Sequence, residues 1–64
     1  MNARGVAPLD SQSRELVLRR VKLFGLKRAS NDIGLSPETV ARCAAGKAVH
    51  AGSRLIVREW LRRG

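Results

Sequence analysis

The stretch that most constrains the fold runs from Leu26 to Gly46 and is divided near its middle by Gly34. Glycine readily adopts the left-handed conformation that ends many helices, so Gly34 predicts the end of one short helix. A second helix is expected to begin directly afterwards. Ser36 can cap its free N–H groups, and Pro37 suits the first helical position. A second glycine at the end of the stretch predicts where that helix stops. The stretch therefore predicts two short helices, from about Leu26 to Ile33 and from about Pro37 to Ala45, joined by a tight turn.

Apolar residues at helical spacing predict one further helix on each side of this stretch. The preceding helix is expected to start after the capping residue Asp10 and to run to about Leu23, with Val17 and Val21 on its apolar side. Residues 1–9 show no periodicity and predict a flexible N-terminal arm. We therefore expect an all-α fold, a compact bundle of four short helices over residues 10–64.

The last helix is expected to run from about Ala51 or Ser53 to Arg63. Its apolar residues predict an inward side and its arginines an outward side. The inward set is Leu55, Ile56, Trp60 and Leu61, and the outward set is Arg54, Arg58, Arg62 and Arg63. Two interpretations of Trp60 stay open. It belongs either to the core or, together with Leu61, to a dimer interface.

Charge is the strongest compositional signal. Thirteen Lys and Arg against five acids give a formal net charge of +8, with a sequence pI of about 11.6. A domain with pI above about 9 has the electrostatic character of a polyanion binder. One cysteine and one histidine argue against a structural zinc site or a disulfide within the chain. We expect no catalysis, no cofactor and no membrane span, and a cytoplasmic location.

The central stretch resembles the helix-turn-helix of bacterial and phage repressors. Ser30, Ile33, Gly34, Leu35, Val40 and Cys43 occupy the small, apolar and glycine positions of that pattern. Ser30 and Cys43 depart from the alanine and the branched aliphatic residue that are usual in that pattern. The run from Glu38 to Arg42 is similar to the recognition helix of the lac-repressor family. With one helix before and one after the motif, the layout resembles lambda-repressor-like (Cro/C1-type) domains more closely. The resemblance implies a small regulator of a phage or mobile element.

The second helix of the motif is expected to present a slim outer edge. At 100° per residue, Val40 and Cys43 fall on the side opposite to Glu38 and Arg42. A slim edge can enter the major groove, which is about 12 Å wide. Arg42 is the first choice for a bidentate contact to guanine. The predicted base-contacting residues are Ser36, Pro37, Glu38, Ala41 and Arg42. For Glu38 the helix dipole alone is a sufficient alternative explanation. The spacing i, i+4 also allows an ion pair between Glu38 and Arg42, which would preorient Arg42.

Phosphate contacts are expected from residues around this edge, because backbone contacts fix register without reading sequence. The predicted set is Lys27, Arg28, Ser36, Thr39, Lys47 and His50, the last two by resemblance to the loop that follows the motif. His50 alternatively caps the last helix. Arg4 in the arm either enters the minor groove or makes no contact.

These features predict a sequence-specific transcriptional repressor that binds double-stranded DNA as a homodimer. No small-molecule effector is expected. Few base contacts per chain favour two copies on a pseudo-palindromic site. Three alternatives stay open. They are a small basic RNA-binding protein, a non-specific DNA-binding accessory protein, and a cationic peptide at a membrane surface.

Overall fold

The structure, a computed structural model, describes residues 5–63 and forms a bundle of four helices with one short sheet. The helices are α1 (Ser11–Phe24), α2 (Leu26–Ile33), α3 (Pro37–Ala45) and α4 (Ala51–Arg63). Two short strands, β1 (Val6–Ala7) and β2 (Val49–His50), pair antiparallel, with Val6 opposite His50. The expected all-α bundle of four short helices is confirmed, and the sheet is an addition to it.

The helix ends follow the capping chemistry of the sequence. The Asp10 carboxylate accepts a hydrogen bond from the Ser13 N–H at 3.1 Å and caps α1. The Ser36 hydroxyl accepts from the Thr39 N–H at 3.2 Å and caps α3, whose first residue is Pro37. Each such cap contributes about 1 kcal/mol. The boundaries of α2 and α3 are those that the sequence predicts.

A single hydrophobic core lies between the helices. Val17 of α1, Val40 of α3 and Val57 of α4 are fully buried at its centre. The other buried apolar members are Leu9, Ala29, Ile33, Cys43, Val49 and Trp60. Ser30 is the buried polar residue of the described chain, and its hydroxyl donates to the Lys27 carbonyl at 2.8 Å. Burial of this side chain therefore leaves no unpaired hydroxyl.

The segment predicted as a flexible arm over residues 1–9 is partly built into the fold, and the prediction was wrong for residues 6–9. Val6–Ala7 pairs with β2, and Leu9 is buried in the core. Strands of two residues carry no periodicity by which a sequence could reveal them. Residues 1–4, including the predicted minor-groove residue Arg4, lie outside the described part of the chain.

The inward side of α4 differs from the prediction. Leu55 is 68% exposed and Ile56 43% exposed, whereas Val57 is fully buried. Arg54, expected to face solvent, lies partly buried with its Nη1 donating to three main-chain carbonyls. The helix is thus rotated so that residues 57 and 60, rather than 55 and 56, face the core.

Trp60 belongs to the core of the monomer, at 7% exposure. The guanidinium carbon of Arg20 lies 4.7 Å from the centre of its ring, a cation–π distance that ties α1 to α4. Arg20 also donates to the Trp60 carbonyl at 3.4 Å. Of the two residues assigned to a dimer interface, Trp60 is therefore occupied within its own chain and Leu61 is half-buried.

None of the helices within residues 5–63 combines the length and apolar character required to cross a bilayer.

Candidate nucleic-acid interface

The turn between α2 and α3 has the geometry that the sequence predicts. Gly34 ends α2 in the left-handed region with φ of 91°, and its N–H donates to the Ser30 carbonyl at 2.8 Å. The Leu35 N–H donates to the same carbonyl at 3.2 Å, and the Leu35 side chain turns inward against the core. A side chain at position 34 would be strained at this φ, so glycine fixes the turn. The turn places the start of α3 at the protein surface.

α3 has one buried side and one exposed side. Val40 and Cys43 are fully buried, so they fix the rotation of the helix about its axis. Pro37, Glu38 and Ala41 are exposed on the opposite side. A serine, a proline, an alanine and one acid form a narrow exposed edge, and we call Ser36, Pro37, Glu38 and Ala41 the α3 edge. Its shape leaves the helix backbone accessible to a groove.

The polar residues at the start of α3 are already linked to one another. The hydroxyl groups of Ser36 and Thr39 lie 2.9 Å apart, and the Ser36 hydroxyl caps the helix. Glu38 is exposed in the first turn, where its negative charge suits the helix dipole. For Ser36 and Glu38, two interpretations from the sequence therefore stay open: a structural role at the start of the helix and a contact with a ligand.

Arg42 does not extend straight away from the α3 edge. Its Nη2 donates to the Ala48 carbonyl at 3.3 Å, so the guanidinium group is directed toward the loop that follows α3. This partner differs from Glu38, with which the i, i+4 spacing would allow an ion pair. The remaining guanidinium N–H groups stay available, because the side chain as a whole is exposed.

The predicted phosphate-contacting residues lie before, within and after α3 in the chain. Lys27 and Arg28 are exposed at the start of α2, with Arg28 lying 5.8 Å from the centre of the Phe24 ring. Lys47 and His50 are exposed in the segment after α3, and Thr39 is half-buried. His50 lies in β2 rather than in an irregular loop. The structure therefore places these basic groups at the two ends of the α2–α3 pair.

One surface pocket of about 200 Å³ collects several of these side chains. It lies between α3, β2 and the first turn of α4. Its polar lining consists of Thr39, Arg42, His50 and Ser53. Sequence reasoning missed Ser53, because the pocket joins it to Thr39, 14 positions earlier in the chain, and to Val6, 47 positions earlier. We call this the α3–α4 pocket.

Burial of the thiol of Cys43 raises its pKa above the ordinary value of 9.0. The thiol is fully buried against the inner side of α3 and acts there as a small apolar group. Its position therefore supports packing of the α3 edge rather than chemistry at it.

Comparisons with protein families, with curated proteins and with solved structures give no match to this chain.

Proposed function

We propose that this protein binds double-stranded DNA with sequence preference and represses transcription, with the α3 edge lying in the major groove. The observation that carries the proposal is the division of α3 into a fully buried side and a slim exposed edge. A helix held in this way can approach base edges without clashing side chains. Pro37 and Ala41 are suited to contact a thymine methyl group, and Glu38 to accept from cytosine N4.

The charge of the chain supports the same proposal. The net charge of +8 provides long-range attraction to a polyanion. Lys27 and Arg28 are exposed in the first turn of α2, and Lys47 is exposed directly after α3. Lysine and arginine in such positions bind phosphates and set register, while the edge reads bases. Affinity is therefore expected to fall with salt, at a slope of about −0.9 in log–log form for each phosphate neutralised.

A homodimer is part of the proposal. One α3 edge supplies few base contacts, and two copies on a pseudo-palindromic site double them. Because Trp60 is buried within the monomer, the exposed apolar residues Leu55 and Ile56 on α4 are the better surface for a second copy. We propose a phage or mobile-element regulator acting in the cytoplasm, without an effector ligand.

Selection from a random duplex library, followed by affinity measurements, tests the function. The selected duplex is compared with a scrambled duplex and with a hairpin RNA at one fixed salt concentration. We expect the selected duplex to bind at least about tenfold more tightly than the other two, which corresponds to one or more discriminating base contacts. Equal affinity for all three would refute sequence-specific DNA binding and favour the accessory or RNA-binding alternative.

A pair of charge-matched variants localises the activity. Ala41→Glu places an acid on the exposed α3 edge, and Gln12→Glu makes the same charge change at an exposed position of α1. We expect Ala41→Glu to weaken binding to the selected duplex by about tenfold or more through repulsion and lost base contact, and Gln12→Glu to have little effect. Equal loss in both variants would show that net charge, and not the edge, determines binding.

A further inference from the structure

The α3–α4 pocket gathers hydrogen-bond donors from three separate elements. Thr39 and Arg42 come from α3, His50 from β2 and Ser53 from the first turn of α4. No acid lines the pocket among residues 5–63. Val6, Ala48 and Val49 supply the apolar part of the lining. The polar part, a guanidinium group, two hydroxyl groups and an imidazole with no carboxylate, is suited to an anion with several acceptor oxygens.

The guanidinium group of Arg42 is held in this pocket by the protein itself. Its Nη2 donates to the Ala48 carbonyl at 3.3 Å, which uses one donor and orients the planar group. The other donors stay free for a ligand, since a guanidinium group carries five N–H groups in a fixed plane. Arginine in this arrangement is suited to bidentate binding of phosphate oxygens.

Size and position agree with a phosphate group as the ligand. The pocket volume of about 200 Å³ is many times the roughly 10–15 Å³ that one water molecule requires by the same measure, so the pocket has room for a phosphate group. The pocket opens beside the α3 edge, where a duplex backbone would border a helix lying in the major groove. The first turn of α4 adds its partial positive charge to that of Arg42.

We infer that the α3–α4 pocket binds one phosphodiester group of the nucleic-acid backbone, through Arg42, His50 and Ser53. This inference rests on the proposed function in taking nucleic acid as the ligand. It assigns Arg42 to the backbone, in place of the guanine contact that the sequence predicts. Arg42 then contributes affinity for every sequence, and the discrimination between bases belongs to the first turn of α3 and to Ala41.

The test compares the pocket variants Arg42→Gln, His50→Gln and Ser53→Ala with Arg19→Gln. Arg19 is exposed on α1, so its variant matches the loss of charge in Arg42→Gln. Affinity is measured over a range of salt concentrations for the selected duplex and for the scrambled duplex. We expect Arg42→Gln to weaken binding to both duplexes by the same factor and to reduce the magnitude of the salt slope by about 0.9. His50→Gln and Ser53→Ala are each expected to weaken binding to the selected and the scrambled duplex by the same factor. Arg19→Gln is expected to leave the salt slope nearly unchanged.

A second measurement locates the phosphate on the duplex. Single methylphosphonate substitutions, which remove one backbone charge each, are placed along the selected duplex. For wild-type protein, methylphosphonate at one position in each half-site should lower the affinity. For Arg42→Gln, methylphosphonate at that same position should leave the affinity unchanged. Selective loss of preference at one base pair in Arg42→Gln, with affinity for scrambled DNA retained, would overturn the inference and make Arg42 a base-reading residue.

The inference and the proposed function fail in different ways. If wild-type protein shows no preference for the selected duplex, sequence-specific binding is refuted, while the salt slopes on scrambled duplex still test the pocket. If wild-type protein is selective but all three pocket variants keep its salt slope and its affinities, the pocket assignment is refuted alone.

Discussion

Replacing Arg54 should destabilise the domain well beyond the effect of an ordinary surface arginine. Its Nη1 donates to the carbonyls of Val49 at 2.9 Å, Ala7 at 3.1 Å and Gly5 at 3.4 Å, and so joins α4 to both strands. Because Nη1 carries two N–H groups, the longest contact, to Gly5, shares a hydrogen with one of the other two. Hydrogen bonds to charged groups contribute about 1.5–3 kcal/mol each. The hydrogen bonds to Val49 and Ala7 are the two short ones, and solvent weakens them because the Arg54 side chain is only partly buried. We therefore expect Arg54→Met to lower the free energy of unfolding by about 2 kcal/mol.

Arg58→Met provides the matched control on the same helix. Arg58 is exposed, and methionine preserves the side-chain stem and the helix propensity at either position. Urea unfolding followed by circular dichroism should place Arg58→Met within about 0.5 kcal/mol of wild type. For Arg54→Met, the melting temperature should fall by about 8–16 °C, since 1 kcal/mol corresponds to about 4–8 °C in a domain of this size.

Amide hydrogen exchange adds a local readout for the same pair of variants. Protection in the paired segments 6–7 and 49–50 should decrease more in Arg54→Met than in Arg58→Met, because the lost hydrogen bonds lie there. Equal stability and equal protection in the two variants would refute the stabilising role of the three carbonyl contacts.

Three further predictions concern the core and the titrating groups. Val57→Ala should lower the free energy of unfolding by about 2 kcal/mol, because it leaves an internal cavity. Leu55→Ala, at an exposed position, should change it by less than about 0.5 kcal/mol. If urea unfolding gave the reverse order, α4 would be rotated as the sequence predicts. Hydrogen bonds from the hydroxyl of Ser13 and, to a smaller extent, from the N–H of Ser13 lower the pKa of Asp10 below its ordinary value of 3.8. The Asp10 carboxylate therefore stabilises the fold above about pH 4, and this stabilisation is lost as the pH falls through the native pKa. An NMR titration that gave a pKa at or above 3.8 would contradict the cap. Cys43 should resist a thiol reagent at pH 8 in native protein and react fully in urea, because burial raises its pKa and blocks access; rapid native labelling would show that the inner side of α3 is open.

The central turn could be predicted from the sequence because its determinants are local. Gly34 is needed for a left-handed residue, and Ser36 caps a helix whose own N–H groups lie three residues away. Both interactions span only a few positions, so the order of residues alone specifies them. The bounds of α2 and α3 were correct for the same reason.

The inward side of α4 could not be predicted because the helix carries apolar residues around much of its circumference. Ile56 and Trp60 are spaced as i, i+4, and Val57 and Trp60 as i, i+3, so both pairs satisfy helical periodicity. Packing against α1 and α2 selects the second pair. The choice leaves Leu55 and Ile56 exposed, which sequence periodicity gives no means of foreseeing.

The contacts of Arg54 and Arg42 depend on residues distant in the chain or on side-chain direction. Arg54 reaches the Gly5 and Ala7 carbonyls, 49 and 47 positions away. An arginine on a predicted solvent face gives no sign of such partners, since its stem can lie along apolar surface in either case. The position of Arg42 on α3 was correct, but the Ala48 carbonyl determines where its guanidinium group points.

The most direct test of the account is an NMR measurement of intermolecular NOEs between ¹³C-labelled protein and the selected duplex. In the proposed complex, the methyl group of Ala41 lies against the floor of the major groove. We predict NOEs from this methyl group to cytosine H5 or thymine methyl protons, which lie in that groove. NOEs to base protons from α1 or α4 side chains, with none from the α3 edge, would contradict the account.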